Sequence, residues 1–258
     1  MATLRVEQPA DGVTLVTLNR PERLNAINEE MMLELRSTFE SLAVDRSTRV
    51  VVVTGEGRGF CAGVDLRDFG PSMTPDDAPV LDKLRFQETM ASLPQLFRDL
   101  PQPIVAAVNG PAFGGGLGLC LASDVRLCSQ SASFGNGAIL VGLTGAEMGM
   151  SYYLPRVVGL SVAADWMLTG RKVTAQEAAA RGLVSELVDD DQLSARALEV
   201  ATQIAGNSAL ATQLTKRALQ QNADAPDLAA ALEVENRNQV IAHGSDEAAA
   251  ARQRWSAK

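Results

Sequence analysis

The stretch "AFGGGLGLCLASD", residues 112–124, raises the question on which the interpretation of the whole sequence depends. Four glycines, at positions 114, 115, 116 and 118, open a run whose other members are apolar and typical of a buried helix. Glycine destabilises a helix interior by about 1 kcal/mol relative to alanine. Four glycines at a helix start therefore indicate that something approaches this backbone closely.

Two explanations fit these glycines. The first amides of a helix have no partner within it and lie at the positive end of its dipole. Because glycine has no side chain, a ligand oxygen could reach those amides, and the site would bind an anion or an oxygen that becomes one. The other explanation is close packing of the helix against a neighbouring strand. The stretch by itself leaves both open.

A second glycine turn, "FCAGVD" at residues 60–65, follows an apolar run at 49–55. Parallel strands that each end in a glycine turn can direct two amides into one crevice, which would form a two-donor oxyanion hole. A dinucleotide site is disfavoured, because the glycines after residue 54 do not run into a helix as that fingerprint requires. The phosphate-binding pattern GxxxxGK[ST] is absent from the sequence.

The order of the elements predicts an α/β core with parallel pairing. Alternating or continuous apolar runs predict strands, and 3.6-residue periodicity predicts helices, with Asn28 as a helix N-cap. The chain from about residue 145 is expected to be mostly helical, and residues 70–80, with three prolines, are expected to form a mobile loop. The strands are expected at residues 4–8, 12–20, 49–55, 103–110, 123–129 and 182–188.

Composition excludes several classes of protein. The 258 residues are 46% apolar and 21% charged, as in ordinary globular proteins. The net charge of −8 disfavours nucleic acid as a partner, since phosphate binding needs a basic surface. No apolar run approaches the roughly 20 residues that span a bilayer, and the N-terminus lacks a signal peptide's apolar stretch. We therefore expect a cytoplasmic protein that does not bind membranes.

The sequence offers few residues for metal or nucleophilic chemistry. Cys61, Cys120 and Cys128 have no metal-site spacing and are expected to be buried free thiols. The lone histidine, His243, nearly excludes histidine triads and multi-histidine metal sites. We expect no metal and no cofactor, and acid–base chemistry that depends on carboxylates.

Five motifs together resemble the enoyl-CoA hydratase/isomerase family, the crotonases. They occur in the family's order and spacing over nearly the whole chain. They are "NRPERLNAIN" (19–28), "GFCAGVDL" (59–66), "PIVAAVNGPAFGGGLGLCLASDVRL" (103–127), "LTGRKVTAQEAAARGLVSELV" (168–188) and "LTKRAL" (214–219).

The resemblance implies a fold and a partner. The fold is a crotonase-like spiral of ββα units at residues 1–200, followed by a helical trimerisation segment at 201–258. The assembly is a homotrimer or a dimer of trimers. The partner is an acyl-CoA thioester, so that coenzyme A enters as part of the substrate.

The resemblance also implies what the two glycine turns do in the reaction. In the family, two backbone amides hold the thioester oxygen while it becomes an enolate. Carried over by motif, those amides belong to Val64, the variable residue of A-G-x-D, and to Gly115. Asp65 is expected to be structural and to cap its own turn.

The sequence departs from the hydratases at two positions. In those enzymes, two glutamates do the proton chemistry, one after the glycines and one in an F-G-x-P-E segment. Here these positions are Gly118 and Ala138, neither of which can carry a proton. Because hydration uses a positioned water and both carboxylates, we expect a poor hydratase.

One acid, Glu147 in "GLTGAEMGMSYYLPR", falls where several relatives keep their working carboxylate. Those relatives include Δ3,Δ2-enoyl-CoA isomerases, dienoyl-CoA isomerases, the ring-opening isomerase of phenylacetate degradation and aromatic acyl-CoA dehalogenases. Apolar neighbours should raise the pKa of Glu147, which suits a proton shuttle. The alternative is an acid in a helix first turn, stabilised by the dipole.

The remaining site residues follow from the family pattern. Asn136 could orient substrate or water. Coenzyme A contacts are expected at Arg23, Leu24, Ala26, Ala62 and Lys216, the last of these across a subunit boundary. The favoured activity is isomerisation of a Δ3 to a Δ2 enoyl-CoA with Glu147 as the acid–base. The alternatives are hydration or another crotonase reaction, and a non-catalytic acyl-CoA binder.

Overall fold

The computed structural model describes residues 2–68 and 78–256. Most of the loop expected at 70–80 lies outside the described residues. The strands are β1 (Leu4–Ala10), β2 (Val13–Leu18), β3 (Val50–Gly55), β4 (Ile104–Val108), β5 (Pro111–Phe113), β6 (Val125–Ser129), β7 (Ser133–Gly135), β8 (Val173–Thr174) and β9 (Glu186–Val188).

Helices cover much of the remaining described chain, most densely in its last hundred residues. They are α1 (Glu29–Val44), α2 (Val80–Asp99), α3 (Gly115–Ala122), α4 (Met150–Val158), α5 (Leu160–Thr169), α6 (Ala175–Ala180), α7 (Leu193–Ala205), α8 (Ala209–Asn222), α9 (Leu228–His243) and α10 (Asp246–Ser256). Asn28 is the N-cap of α1, as predicted, and its side-chain oxygen accepts a hydrogen bond from the Met31 amide.

The main sheet has six strands in the order β1-β2-β3-β4-β6-β9. β1 and β2 form an antiparallel hairpin, and every later neighbour pairs in parallel. The predicted α/β core is therefore confirmed. The continuous apolar run of β3 has the expected cause, because Val51 and Val53 pack into one core and Val50 and Val52 into another on the opposite face.

The two cores place different helices on the two faces of the sheet. α1, α2 and α3 contribute to the larger core, which also contains buried residues of α4 and α5. On the other face, α7 packs Leu193, Ala197, Ala201 and Ala205 against the smaller core. Helix α3 is buried along its whole length, so its position relative to the sheet is fixed.

A second, three-stranded sheet with the order β5-β7-β8 was not predicted from the sequence. Its strands have only two or three residues, which is too short for an alternating pattern to be recognised. The sheet matters for function, because β5 stands between β4 and the glycine run and so fixes where α3 begins. The sequence-based expectation that the glycines follow β4 directly was wrong in this detail.

The C-terminal segment is helical, as expected. Helix α7 runs across the predicted boundary between residues 200 and 201 and packs on the core. Helices α8 and α9 pack against each other and leave large apolar side chains exposed, including Leu219, Leu228 and Val240. Trimerisation through this segment stays a prediction. Among the described helices, none is long and apolar enough to cross a membrane.

Candidate active site

A short parallel bridge to Ile27 holds the turn that contains Val64. The Ile27 amide donates to the Gly63 carbonyl at 2.7 Å, and the Asp65 amide donates to the Ile27 carbonyl at 2.9 Å. Val64 lies between Gly63 and Asp65, the two residues that bond to Ile27. In a parallel bridge of this kind, the amide of the middle residue points away from the partner, here Ile27. The fold thus turns the Val64 amide outward from the bridge.

Gly115 supplies a second amide at the start of α3. Across the described residues, neither the Gly115 amide nor the Val64 amide has a hydrogen-bond acceptor in the protein. The two turns are in close contact, since a β-carbon placed on Gly63 would lie 3.3 Å from the Gly115 nitrogen. Two partnerless amides on adjoining turns are the donor arrangement of an oxyanion hole.

The four glycines of the run divide into two pairs. A β-carbon on Gly116 would lie 2.1 Å from the Cys61 carbonyl oxygen, and one on Gly118 would lie 2.6 Å from the β-carbon of Met148. At Gly114, whose φ is +49°, the nearest atom would be Glu147 Oε1 at 3.6 Å. Both explanations of the run therefore apply: Gly116 and Gly118 permit close packing, and Gly114 and Gly115 face the site.

Glu147 lies beside the amides, in the turn before α4. It precedes Gly149, the N-cap of α4, so it is not an acid in that helix's first turn. Its side chain is half-buried, and burial raises its pKa above the ordinary value, opposed by hydrogen bonding with Asn136. A carboxyl whose pKa is raised in a partly dry site is suited to take up and return a proton.

Asn136 is buried and holds the segment that carries Glu147. Its Nδ2 donates to the Gly145 carbonyl at 3.0 Å, and its Oδ1 accepts from the Ala138 amide at 3.0 Å. The side chain thereby joins the end of β7 to the turn before α4. These two bonds give Asn136 a role in positioning this segment, and its predicted contact with substrate or water stays a prediction.

The two positions of the hydratase glutamates contain no carboxyl group. Ala138 begins a short 3-10 helix, Ala138–Val141. At position 118, Met148 fills the space next to the α-carbon, and its carbonyl oxygen would lie 2.9 Å from an added β-carbon. Position 118 therefore has no room for a glutamate with the backbone as it stands.

The residues expected to contact coenzyme A fall into two groups. Leu24 and Ala62 lie together, because the Ala62 amide donates to the Leu24 carbonyl at 3.0 Å, and the Ala26 amide donates to the carbonyl of the exposed Arg23 at 3.1 Å. These four residues adjoin the Val64 turn. Whether they bind coenzyme A stays a prediction.

Lys216 lies apart from that group. Its ammonium group is buried, forms a 2.8 Å ion pair with Asp124 and donates to the Gln102 carbonyl at 2.9 Å. These contacts secure α8 to the loop after α2 and to the C-terminal end of α3. The observed partners are structural, and the predicted role in coenzyme A binding has no support from this geometry.

Asp65 is structural, as predicted, and its main partner was missed. Its Oδ1 accepts from the amides of Arg67 and Asp68, and its Oδ2 accepts from Arg20 Nη1 at 2.9 Å. Burial acts to raise the pKa of Asp65, but these hydrogen bonds outweigh it and hold the pKa below the usual value. Arg20 also donates to the Ala26 carbonyl, so this buried pair orders the approach to the Val64 turn.

The three cysteines lie outside the site and are buried. Burial raises the pKa of Cys61, Cys120 and Cys128 to about 12, so these thiols are protonated at neutral pH. Within residues 2–68 and 78–256, no three His, Cys, Asp or Glu side chains are grouped so as to hold a metal ion.

Known proteins are similar to this chain in both sequence and fold. The model of the family described as "Enoyl-CoA hydratase/isomerase" matches residues 8–257. A relative from Mycobacterium tuberculosis, named "Probable enoyl-CoA hydratase EchA12", is 43% identical over 238 residues, which are 92% of this chain and 83% of the relative.

Two solved structures are similar over nearly the whole chain. The enoyl-CoA hydratase from Bacillus anthracis has a TM-score of 0.92 at 29% identity and covers 98% of this chain and 96% of its own. A monofunctional enoyl CoA isomerase from Mycobacterium smegmatis has a TM-score of 0.76 at 39% identity and covers 90% of this chain and 99% of its own. The fold is that of the crotonases, and the chain belongs to the enoyl-CoA hydratase/isomerase family.

Proposed function

We propose that this protein moves the double bond of an acyl-CoA thioester from the C3–C4 to the C2–C3 position. The observation that carries the proposal is one half-buried carboxyl, Glu147, beside the amides of Val64 and Gly115, which have no acceptor among the described residues. Such a site can hold a developing oxyanion and move a proton next to it.

The reaction needs one base and one oxyanion hole. The Glu147 carboxylate takes a proton from C2, and the electrons of the C–H bond move to the thioester oxygen to form a dienolate. The amides of Val64 and Gly115 stabilise that oxygen. Glu147, now protonated, returns the proton to C4, the double bond settles between C2 and C3, and the carboxylate is regenerated.

Hydration is less well supported by this site than isomerisation. Water must be held and activated at one face of the double bond while a second proton is delivered to C2. The family's hydratases use two carboxylates for this, and here those positions are Gly118 and Ala138. Met148 leaves no space for a second carboxyl at position 118.

The relatives support the family and leave both reactions as candidates. The monofunctional isomerase from Mycobacterium smegmatis favours isomerisation, whereas the relative from Mycobacterium tuberculosis is named a hydratase. Hydration with Glu147 and Asn136 is therefore the second candidate. We further propose that Arg23, Leu24, Ala26 and Ala62 contact coenzyme A, and that the protein is a cytoplasmic homotrimer or dimer of trimers.

The test uses purified protein and a panel of 3-enoyl-CoA thioesters of different chain length. The conjugated 2-enoyl product is followed by its ultraviolet absorbance, and Glu147→Gln is measured in parallel. We expect conjugation with the wild type and its loss in the variant. Glu147→Gln preserves the size of the side chain, and a matching circular dichroism spectrum verifies its fold.

Two results would overturn the proposal. If 2-enoyl-CoA is converted to 3-hydroxyacyl-CoA and no 3-enoyl-CoA is isomerised, the second candidate replaces it. If acyl-CoA binds and no substrate turns over at any chain length, the protein is a binder without chemistry.

A further inference from the structure

Met148 occupies a central place beside Glu147 that the proposed reaction does not use. Its side chain is buried, and its terminal methyl group would lie 3.4 Å from a β-carbon placed on Gly115. Its β-carbon would lie 2.6 Å from one placed on Gly118. Met148 thus packs against two glycines of α3, one that supplies an oxyanion amide and one that lies a turn further along the helix.

The backbone of Met148 is in an uncommon conformation. Its φ is +49°, and Gly149 follows with a φ of +78°, so two consecutive residues adopt left-handed geometry. Residues other than glycine, asparagine and aspartate seldom have a positive φ, because the β-carbon then crowds the neighbouring carbonyl. Such strain persists only where surrounding contacts impose it, and it is concentrated at functional sites.

We propose that Met148 is a positioning residue that fixes the Glu147 carboxyl against the oxyanion amides. Its packing on Gly115 and Gly118 ties the turn before α4 to the start of α3. Because Glu147 is the preceding residue, the same contact sets the direction of its side chain. The proposal rests on the proposed function, since it assigns the orientation of that function's base.

The same packing accounts for the missing second carboxyl. Gly118 and Met148 form a complementary pair, since any side chain at 118 would displace Met148 and with it Glu147. A shift of 1 Å at a reacting group can lower a rate about 100-fold. The chain therefore has a site in which accurate placement of one carboxyl excludes the carboxyl that a hydratase would carry at position 118.

The environment of Glu147 makes the proposal measurable by pH. Within the described part of the chain, no charged group contributes to the pKa shift of Glu147: burial raises the pKa, and the uncharged side chain of Asn136 lowers it. Met148, the next residue in the chain, is buried and packs on Gly115 and Gly118. If this packing keeps Glu147 in place, its removal would admit water to the carboxyl and lower the pKa toward its ordinary value.

The experiment compares Met148→Ala with Met148→Leu, using the 3-enoyl-CoA that the wild type converts fastest. The alanine variant removes the packing beyond the β-carbon, and leucine restores most of it. We expect kcat to fall about 10- to 100-fold in Met148→Ala, with KM changed by less than about threefold, and to recover in Met148→Leu. The acid limb of kcat/KM should move to lower pH in Met148→Ala alone.

Met150→Ala is the matched control. Met150 is also buried, lies two residues further on and opens α4, whereas the three atoms nearest to a β-carbon on Gly118 all belong to Met148. We expect the control to lower the melting temperature without moving the acid limb. Gly118→Ala provides a second route to the same effect, because the added methyl group displaces Met148 while both Met148 and Glu147 stay in the sequence.

The outcomes separate the two proposals. If Glu147→Gln is inactive while Met148→Ala keeps the wild-type kcat and acid limb, the positioning role is wrong and the proposed function stands. If Met150→Ala moves the acid limb as much as Met148→Ala does, the effect is general loosening and the positioning role is again wrong. If Glu147→Gln keeps wild-type turnover, Glu147 is not the base, and both proposals fail.

Discussion

The two ends of helix α3 are built in opposite ways. At the C-terminal end, Arg126 donates to the Ser123 carbonyl at 2.8 Å, and Asp124 binds both the Ile104 amide and the Lys216 ammonium group at 2.8 Å. At the N-terminal end, within the described structure, the amide of Gly115 has no acceptor and no side chain caps the helix.

The difference teaches where to look for function in a buried helix. Unsatisfied polar groups are destabilising, so most buried amides and carboxyls in proteins find partners. The C-terminal end of α3 follows that rule and secures the C-terminal helices to the core. The N-terminal end does not follow that rule, because the Gly115 amide has no acceptor within the described structure. The carboxyl of Glu147, whose pKa is raised, lies beside this amide.

The largest effect on activity is expected at the N-terminal end of α3, where Glu147 lies beside the unbonded amide. Replacing Glu147 with glutamine removes the proposed acid–base while keeping the shape of the side chain. We expect kcat for 3-enoyl-CoA isomerisation to fall by about 10²- to 10⁴-fold, as is typical when a general acid–base is lost. Steady-state kinetics measures the loss. A decrease of less than threefold would remove Glu147 from the mechanism.

At the other end of the helix, the expected effect is on stability. Lys216→Met leaves Asp124 partly buried without its cation, which is expected to destabilise the fold by about 3–5 kcal/mol. Urea unfolding measures this change. Arg196→Met is the matched control, because its pair with Glu186 is more exposed and should contribute little to stability. Equal losses in the two variants would contradict the structural role of Lys216.

A smaller loss of stability is expected when a side chain is added at Gly116, where α3 packs closely on its neighbours. Gly116→Ala places a methyl group 2.1 Å from the Cys61 carbonyl oxygen, and such overpacking typically destabilises by about 1–3 kcal/mol. Thermal unfolding detects it. Gly137→Ala is the control, since a β-carbon there meets nothing within 4 Å. If the two variants unfold alike, α3 is not packed against Cys61 as described.

The smallest effect on stability is expected at the start of α1, which has a side-chain cap, unlike the start of α3. Asn28 caps α1, so Asn28→Ala is expected to destabilise the protein by about 1 kcal/mol, and Asn28→Asp should retain most of the stability. Chemical denaturation compares the two variants. Equal stability in Asn28→Ala and wild type would show that this cap is dispensable.

The sequence predicted the parts that depend on local pattern. The continuous apolar run of β3 predicted a strand buried on both faces, and the N-cap at Asn28 and the helical C-terminal segment were also correct. The glycine turns suggested two amides in one crevice, and the family resemblance assigned them to Val64 and Gly115, which lie on adjoining turns. Their role in a reaction stays a prediction.

Contacts between distant residues could not be predicted from pattern. Lys216 was expected from the family pattern to contact coenzyme A, and only the folded chain brings it to Asp124, 92 positions away in sequence. Arg20 gave no signal beyond its place after β2, although it is the buried partner of Asp65. Nothing in the sequence pattern indicated the positive φ of Met148 or its packing against the glycines of α3.

The most direct test of the account is the pH dependence of kcat/KM for 3-enoyl-CoA isomerisation. Glu147 must be ionised to take the C2 proton, so activity should disappear as pH falls through its pKa. Because burial raises that pKa, we expect a single acid limb above the ordinary value of 4.5, absent from the residual activity of Glu147→Gln. A limb at or below 4.5, or one that persists in Glu147→Gln, would contradict a buried Glu147 acting as the base.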